Sequence, residues 1–438
     1  MKPSNTLSAH YREKNSLKNK LDISDREFHD WYRFVLSYPP QLVRKYILDF
    51  GLTSNDLLLD PFCGTGTTLV EAKLQNIPSI GIEANSFVHF ASSVKINWSI
   101  DSTELLKIAI KIKQNALKEL AKQNITDIPA QNTDAIFNLK KLNPEQEKII
   151  LKNSISPIPL HKCLVLLEEI NKFKKSDFFK YLKIAFGNAL VYKFSNLRFG
   201  PEVGVGKIKD DTIVVETWFT QMEKICNDLS LVQNKDFAPS EAIFSDSRNL
   251  KELLNGKQIS AVITSPPYPN EKDYTRTTRL ESVILGFINS KEELRKLKKT
   301  LLRSNSRGIY KGDDDDKYVK GFTEIQSIAV EIEKRRLELG KTSGFEKLYH
   351  KVTTLYFGGI AKHLIELQSI LKPGAQLAYV VGDQASFLRI MIPTGKLIAE
   401  IAETLGYELV RIDLFRTRFS TATKMDLNEE VVILKWNG

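Results

Sequence analysis

Apolar residues recur at three- and four-residue steps over residues 31–50, and this period predicts an amphipathic helix. The pair Pro39 and Pro40 interrupts the pattern, so we expect the helix to begin there, because proline is tolerated in a first helical turn. Two short apolar runs follow, the first ending in Asp60 and the second in Glu83. A glycine-rich turn and a helical pattern lie between them. That order predicts the opening strand–helix–strand unit of a doubly wound parallel sheet.

Residues 84–240 interrupt this alternation with a Lys-, Leu- and Ile-rich stretch of mostly helical period, which contains a predicted loop at 195–211. Short strands are predicted again at 242–246 and 261–265. The sequence therefore predicts an α/β sheet core enlarged by helical insertions. The expected segments are 1–30 (polar), 31–92 (first part of the sheet domain, with a ligand-binding loop), 93–240 (helical insert), 241–275 (catalytic part of the sheet domain), 276–350 (basic insert) and 351–438 (C-terminal part of the sheet domain).

Composition narrows the classes of protein to consider. The 438 residues include 63 Lys and Arg against 53 Asp and Glu, and this excess of positive charge favours an anionic partner such as nucleic acid. The three cysteines, Cys63, Cys163 and Cys226, are far apart, so neither a disulfide framework nor a zinc site is predicted. No apolar run approaches the ~18 residues of a membrane span, and the first residues are polar. We therefore expect a cytoplasmic protein that binds no metal.

The strongest local pattern is Asp-Pro-Phe-Cys-Gly-Thr-Gly-Thr-Thr at residues 60–68, directly after the first predicted strand. Gly64 and Gly66 allow the backbone to turn tightly and to approach a ligand closely. No lysine follows the glycines, and Leu69 departs from the dinucleotide fingerprint, so neither nucleotide-binding motif is complete. Glu83 ends the next strand, a position where an acid can accept hydrogen bonds from both hydroxyls of a ribose.

A second pattern, Thr-Ser-Pro-Pro-Tyr-Pro, occupies residues 264–269 after another predicted strand. Its prolines fix the backbone and leave carbonyl groups pointing in set directions. The Ser265 hydroxyl and the Pro266 carbonyl are suited to accept the two hydrogen bonds of an exocyclic amine. Tyr268 offers a face on which a flipped base can stack. An ordinary proline-rich turn is the alternative when this pattern is taken alone.

Together these motifs resemble those of bacterial DNA amino-methyltransferases, the class that methylates cytosine N4 or adenine N6 through an (Asp/Asn/Ser)-Pro-Pro-Tyr loop. The resemblance covers roughly residues 29–92 and 188–438. It implies a Rossmann-like fold, S-adenosyl-L-methionine as cofactor and double-stranded DNA as substrate. Serine at the first position of the loop is typical of cytosine-N4 enzymes. A restriction–modification system with a cognate endonuclease is the setting that the resemblance implies.

The resemblance also implies roles for individual residues. The catalytic loop comprises Ser265, Pro266, Pro267 and Tyr268. The cofactor is expected to be held by Asp60, Pro61, Phe62, Cys63, Gly64, Thr65, Gly66, Thr67, Thr68, Glu83 and Asp246. Asp246 would hold the adenine amino group of the cofactor, although a helix-capping role fits its local sequence equally well.

Basic residues cluster directly after the catalytic loop. Residues 276–312 hold ten Lys and Arg against three acids, and we expect them to contact DNA phosphates, with a solvated helix face as the alternative. The acidic run 313–316 cannot lie against phosphates and is predicted to be an exposed loop. The candidate DNA-binding residues are Arg276, Arg279, Arg303 and Arg307.

The sequence bears on four alternatives to cytosine-N4 methylation. Cytosine-C5 methylation needs a nucleophilic cysteine in a Pro-Cys setting, and none of the three cysteines follows a proline. Adenine N6 remains an alternative because serine is a tendency rather than a rule. An RNA methyltransferase and a non-catalytic binding module are the other two. Both inserts are candidates for reading the DNA sequence.

Overall fold

The structure is a computed structural model that describes residues 21–34, 37–129, 138–200, 202–270, 272–420 and 423–438. Residues 1–20 of the predicted polar segment lie outside this range, as do Val35 of the predicted first helix and Pro201 of the predicted loop. No helix among the described residues is long and apolar enough to cross a bilayer.

Seven strands of the described chain form one sheet in the order β5-β2-β1-β6-β7-β9-β8. Neighbouring strands are parallel except that β9 runs antiparallel to both β7 and β8. This mostly parallel sheet with flanking helices is a Rossmann-like α/β fold, as predicted. The strands are β1 Leu58–Asp60, β2 Ser79–Glu83, β5 Ser240–Phe244, β6 Ile259–Thr264, β7 Leu371–Gly382, β8 Glu408–Ser420 and β9 Met425–Lys435, and a separate hairpin holds β3 Leu197–Phe199 and β4 Val203–Val205.

Local sequence features mark the starts of two helices. The first starts at Pro40, and the Asp101 side chain caps the longest helix of the insert by accepting hydrogen bonds from the Thr103 and Glu104 amides. The helices are α1 Pro40–Asp49, α2 Thr67–Leu74, α3 Ser86–Lys95, α4 Ser102–Ala121, α5 Pro144–Glu147, α6 Pro157–Asn171, α7 Phe179–Ala189, α8 Val215–Val232, α9 Leu250–Leu253, α10 Tyr274–Thr277, α11 Arg279–Ile284, α12 Lys291–Thr300, α13 Thr323–Glu338, α14 Tyr349–Gln368 and α15 Thr394–Thr404.

Successive strand residues face opposite sides of the sheet, and both sides are apolar and buried. Leu59 and Val262 pack in a core with residues of α14 and α15. Their neighbours Leu58 and Ile263 pack instead with residues of α1. A parallel strand covered on both faces must be apolar throughout, which explains the short continuous apolar runs that predicted β1 and β6.

The helical insert packs onto the sheet domain rather than standing apart from it. Buried residues of α4, α6, α7 and α8 share one core with Cys63 of the glycine loop and Leu69 of α2. Inside the insert, the Trp218 ring nitrogen of α8 donates a hydrogen bond to the Leu182 carbonyl of α7 at 3.1 Å. The insert therefore supports the loop that leads into α2.

Two local predictions differ from the structure. The predicted loop 195–211 contains the β3–β4 hairpin, whose three-residue strands are too short to give a periodic signal. The predicted turn at residues 372–374 lies within β7 as a bulge. The pairing of β6 with β7 moves there from Ile259–Leu371 to Ala261–Gln376, so extra β7 residues loop out of the ladder.

Candidate active site

A cavity of about 310 Å³ lies at the carboxyl ends of β1, β2 and β6, which is where ligands bind in parallel α/β sheets. The glycine loop and the proline loop both line it, as does Glu83 at the end of β2. The structure therefore brings the two separate sequence motifs to one site. The predicted residues on its wall are Pro61, Phe62, Cys63, Gly64, Thr65, Thr67, Glu83, Ser265, Pro266, Pro267 and Tyr268.

The glycine loop follows β1 closely and leads directly into α2. Gly64 and Gly66 have φ of 52° and 81°, a left-handed conformation that favours glycine. A Cβ at Gly66 would lie 3.1 Å from the Ser92 Cβ of α3, so the loop is also closely packed. Cys63 is buried, and a Cβ at Gly81 would come within 2.8 Å of its Sγ. Cys63 is thus a small packing residue whose backbone borders the cavity.

Asp60 lies behind the cavity wall. Its carboxylate is fully buried and accepts hydrogen bonds from the Thr68 hydroxyl at 2.5 Å, the Thr264 hydroxyl at 2.6 Å and the Phe62 amide at 3.1 Å. Burial raises the pKa of Asp60 to about 6, and these donors act against that rise. Protein groups surround the carboxylate, so Asp60 braces the glycine loop against the strand that ends just before Ser265. A direct contact between Asp60 and the cofactor stays a prediction.

Glu83 is half-buried on the cavity wall. One carboxylate oxygen accepts a hydrogen bond from the Asn85 amide at 2.7 Å, which fixes the orientation of the group. Burial raises its pKa to about 7, and the backbone amides of Asn85 and Gly64 oppose the rise. An oriented carboxylate beside a glycine loop is suited to accept hydrogen bonds from vicinal hydroxyls.

Ser265 lines the cavity, and a hydrogen bond fixes its hydroxyl. Its hydroxyl donates to the Val380 carbonyl of β7 at 3.1 Å, so its proton is used within the protein and its lone pairs remain to accept. The Tyr274 hydroxyl accepts a hydrogen bond from the Tyr268 amide at 3.3 Å. Burial raises the pKa of the Tyr268 hydroxyl well above its usual range, so this side chain stays neutral.

Asp246 follows β5 but is not part of the cavity wall, which Ser245 and Ser247 line. Its carboxylate accepts hydrogen bonds from the Arg248 guanidinium at 2.6 Å and from the Arg248 amide at 2.9 Å. The buried Arg248 side chain also pairs with Asp315. The amide contact forms a local turn, and the next helix, α9, has Asn249 rather than Asp246 at its N-cap.

The candidate DNA-binding arginines divide into two pairs. Arg303 is 4% exposed and forms an ion pair with Asp313 at 2.8 Å, and Arg279 donates to the carbonyls of Thr275 and Ile149. These two guanidinium groups stabilise the insert from within, and a contact of either with DNA stays a prediction. Arg276, beside Glu202 at 3.5 Å, and Arg307, over the Phe345 ring, remain partly exposed.

The acidic run is not the exposed loop that the sequence predicted. Asp313 pairs with Arg303, and Asp315 is buried against Arg248. Gly358 of α14 allows this close packing, because a Cβ there would lie 2.0 Å from the Asp315 carbonyl oxygen. Asp315 therefore fixes the basic insert to the sheet domain, whereas Asp313 holds the insert together internally.

Several charged cavity residues were not among the candidate site residues predicted from the sequence. Lys272 and Lys298 follow the proline loop, and Lys298 forms an ion pair with Asp273 at 2.6 Å. Arg416 of β8 and Glu429 of β9 reach the cavity from the C-terminal strands. Lys298 belongs to the basic cluster at residues 276–312, whereas Lys272 precedes that cluster. No sequence signal pointed to Arg416 or Glu429, because only the strand pairing brings them close to the proline loop, which lies some 150 residues earlier in the chain.

The chain is similar to known DNA methyltransferases. Residues 3–92 match the N6_N4_Mtase family, described as DNA methylase. The chain is 27% identical over 430 residues to the type II methyltransferase M.BsoBI of Geobacillus stearothermophilus, covering 90% of this chain and 81% of that protein. It is 26% identical over 407 residues to the type II methyltransferase M.AvaI of Nostoc sp., covering 87% and 79%. These findings support a DNA amino-methyltransferase.

A DNA amino-methyltransferase of this type uses S-adenosylmethionine as its methyl donor. The cavity fits that cofactor, because it combines a glycine loop in left-handed turns with an oriented Glu83 carboxylate. A shorter match concerns RNA: over 127 residues the chain is 32% identical to the tRNA (guanine(10)-N2)-dimethyltransferase of Methanocaldococcus jannaschii, covering 27% of this chain and 35% of that protein. The two type II DNA methyltransferases match over far more of the methyltransferase chain.

Proposed function

We propose that this protein transfers the methyl group of S-adenosylmethionine to the N4 amine of cytosine in double-stranded DNA. The observation that carries the proposal is the Ser265 hydroxyl, which donates to Val380 and so presents an acceptor to the cavity. An exocyclic amine is the group that needs such an acceptor. Serine at this position favours cytosine over adenine through the resemblance to cytosine-N4 enzymes.

Positioning supplies the catalysis in this proposal. The N4 amine donates one hydrogen bond to Ser265 and the other to the Pro266 carbonyl, while the base stacks on Tyr268. With both hydrogens held, the nitrogen lone pair is directed toward the cofactor side of the same cavity. The cofactor supplies a methyl group on a sulfonium centre. The amine nitrogen would bond to the methyl carbon as the carbon–sulfur bond breaks, and S-adenosylhomocysteine would be the leaving group. No covalent enzyme intermediate forms, and one amine proton passes to solvent.

The cofactor-binding roles follow from the cavity wall. We assign the ribose hydroxyls to Glu83 and the methionine part to the backbone of residues 62–66, with Thr65 and Thr67 beside it. Asp60 and Thr68 position this loop from behind. Asp246, held by Arg248, retains its place as the candidate partner of the adenine amino group beside Ser245 and Ser247.

DNA binding is assigned to the exposed part of the basic insert. Arg276 and Arg307 are the partly exposed members of the predicted set, and α12 adds exposed cations such as Lys296 and Lys299. Each phosphate contact would contribute salt-dependent affinity. The type II class of the two long relatives supports a restriction–modification role with a cognate endonuclease.

Expression in a host that lacks its own DNA methylation tests the proposal. Methylation-aware sequencing of the host DNA is expected to show N4-methylcytosine at one recurring sequence, and Ser265→Ala is expected to abolish it. Ser369→Ala, an exposed position after α14, serves as the matched control and should leave the modification intact. N6-methyladenine alone would contradict the cytosine assignment, and methylated tRNA or rRNA with unmodified DNA would contradict DNA as the substrate.

A further inference from the structure

The C-terminal strands place a charged pair beside the catalytic loop. Gly382 ends β7 and pairs with Glu429 of β9, which in turn pairs with Arg416 of β8. A Cβ at Gly382 would lie 3.0 Å from the Tyr268 ring and 3.2 Å from the Glu429 Cγ, so these two side chains pack closely over the glycine. The pair therefore lies on the part of the cavity where Tyr268 is assigned to stack on the target base.

A bulge in β8 produces this arrangement. Leu414 pairs with Glu430 and Arg416 with Glu429, which leaves Phe415 as the extra residue. Bulges of this kind redirect side chains and are common beside active sites. Because of the bulge, Arg416 rather than Phe415 lies opposite Glu429, and both members of the charged pair line the cavity.

The hydrogen bonding of Arg416 leaves part of its guanidinium group available. Its Nε donates to the Glu429 carboxylate at 2.5 Å, and the Arg416 side chain is 17% exposed. Among the described residues, no other acceptor for its two terminal amino groups is found. A guanidinium fixed through Nε presents those two donors in parallel, the geometry with which arginine binds two adjacent acceptors.

Cytosine offers two such acceptors, N3 and O2, next to its N4 amine. Adenine offers N1 and then a C2–H group, which cannot accept a hydrogen bond, and thymine offers an N3–H donor. Enzymes that flip a base read it through this edge. We propose that Arg416, positioned by Glu429, donates to N3 and O2 of the flipped cytosine and makes the site specific for that base. This inference rests on the proposed cytosine-N4 activity.

The first arm of the test fixes the base that the wild-type protein methylates, by sequencing the DNA of the expressing host. A duplex with the mapped site is then prepared in two forms, one with the target cytosine and one with an abasic target position. Binding is measured with S-adenosylhomocysteine present, and the transfer rate is measured on the cytosine duplex. If the wild-type protein yields only N6-methyladenine, the proposed function fails, independently of what the variants do.

The second arm compares Arg416→Lys with the wild type. Lysine keeps the charge and loses the paired donors, so kcat/KM should fall about 10- to 100-fold. The affinity difference between variant and wild type should be present on the cytosine duplex and absent on the abasic one. Glu429→Gln keeps an acceptor for Arg416 and should show the same pattern with a smaller loss. Arg411→Gln, which removes an ion-paired arginine of the same strand far from the cavity wall, should match the wild type.

Two results would overturn the inference while leaving the proposed function intact. An equal loss of affinity on both duplexes would show a backbone contact instead of base recognition. Unchanged kcat/KM and affinity in Arg416→Lys would show that the pair does not touch the base. Unchanged affinity for S-adenosylmethionine in both variants excludes a general disturbance of the fold.

Discussion

The Asp60 carboxylate accepts a hydrogen bond from the Thr264 hydroxyl at 2.6 Å, and this contact joins the glycine loop to the proline loop. Thr264 directly precedes Ser265, and Thr68 of α2 binds the other carboxylate oxygen. A change at Asp60 should therefore disturb both loops. We therefore expect Asp60 to affect activity although it does not line the cavity.

Replacing Asp60 tests this brace. Asp60→Ala leaves the buried Thr264 hydroxyl without its acceptor, which costs about 1–3 kcal/mol, while the Thr68 hydroxyl keeps only the Ile263 carbonyl at 3.2 Å. We expect a lower free energy of unfolding in urea, weaker S-adenosylmethionine binding and reduced transfer. Asp49→Asn on the exposed end of α1 is the control. Wild-type stability and wild-type cofactor affinity in Asp60→Ala would disprove the brace.

Cofactor binding should depend on pH through Glu83. Its pKa is raised to about 7, so the carboxylate is charged above that pH and protonated below it. A protonated group loses acceptor capacity for the ribose hydroxyls, so affinity should fall as pH falls. Between pH 8 and pH 6 the dissociation constant for S-adenosylmethionine should rise about tenfold, as linkage predicts for one titrating group.

The control for this pH dependence is Glu83→Gln, which has no carboxylate to titrate at this position. Its affinity, measured by titration calorimetry, should be weaker than that of the wild type at pH 8 and nearly flat between pH 6 and pH 8. A wild-type affinity that stays constant over the same range would contradict the assignment of Glu83 to the ribose.

The exposed and buried arginines of the basic insert should respond differently to substitution. Arg276→Gln and Arg307→Gln should weaken DNA binding and lower the slope of log affinity against log salt by about one for each phosphate that the variant no longer binds. Cofactor affinity should not change. Arg335→Gln, on the exposed surface of α13, is the matched control. An unchanged salt slope in the double variant would exclude phosphate binding at these positions.

Arg303→Gln should instead reduce stability. Its guanidinium is buried with Asp313, and removing one partner of a buried ion pair costs about 3–5 kcal/mol because the other charge is left uncompensated. Urea unfolding measures this loss. A second substitution, Asp313→Asn, should restore part of the stability by removing the uncompensated charge. If the Arg303→Gln variant is fully stable but binds DNA poorly, Arg303 contacts DNA instead of stabilising the insert.

The local sequence predicted the strands and the fold, because short apolar runs and turn residues determine them. The apolar runs ending in Asp60 and Glu83 predicted two neighbouring strands, and the Rossmann-like fold is confirmed. Other features could not be predicted, because they depend on contacts between segments that the local sequence does not reveal. Arg303 and Asp313 each resemble a solvated residue in sequence, and only the packing of the insert makes them a buried pair. Arg416 reaches the cavity through strand register and a bulge, neither of which the sequence displays.

The most direct test of the central claim is transfer of a labelled methyl group by the purified protein. Unmethylated bacteriophage DNA is incubated with labelled S-adenosylmethionine, digested to nucleosides and separated so that N4-methylcytosine is resolved from 5-methylcytosine and N6-methyladenine. We predict that the label elutes with N4-methylcytosine and disappears in Ser265→Ala. Label in another nucleoside, or undiminished N4-methylcytosine in Ser265→Ala, would contradict the account.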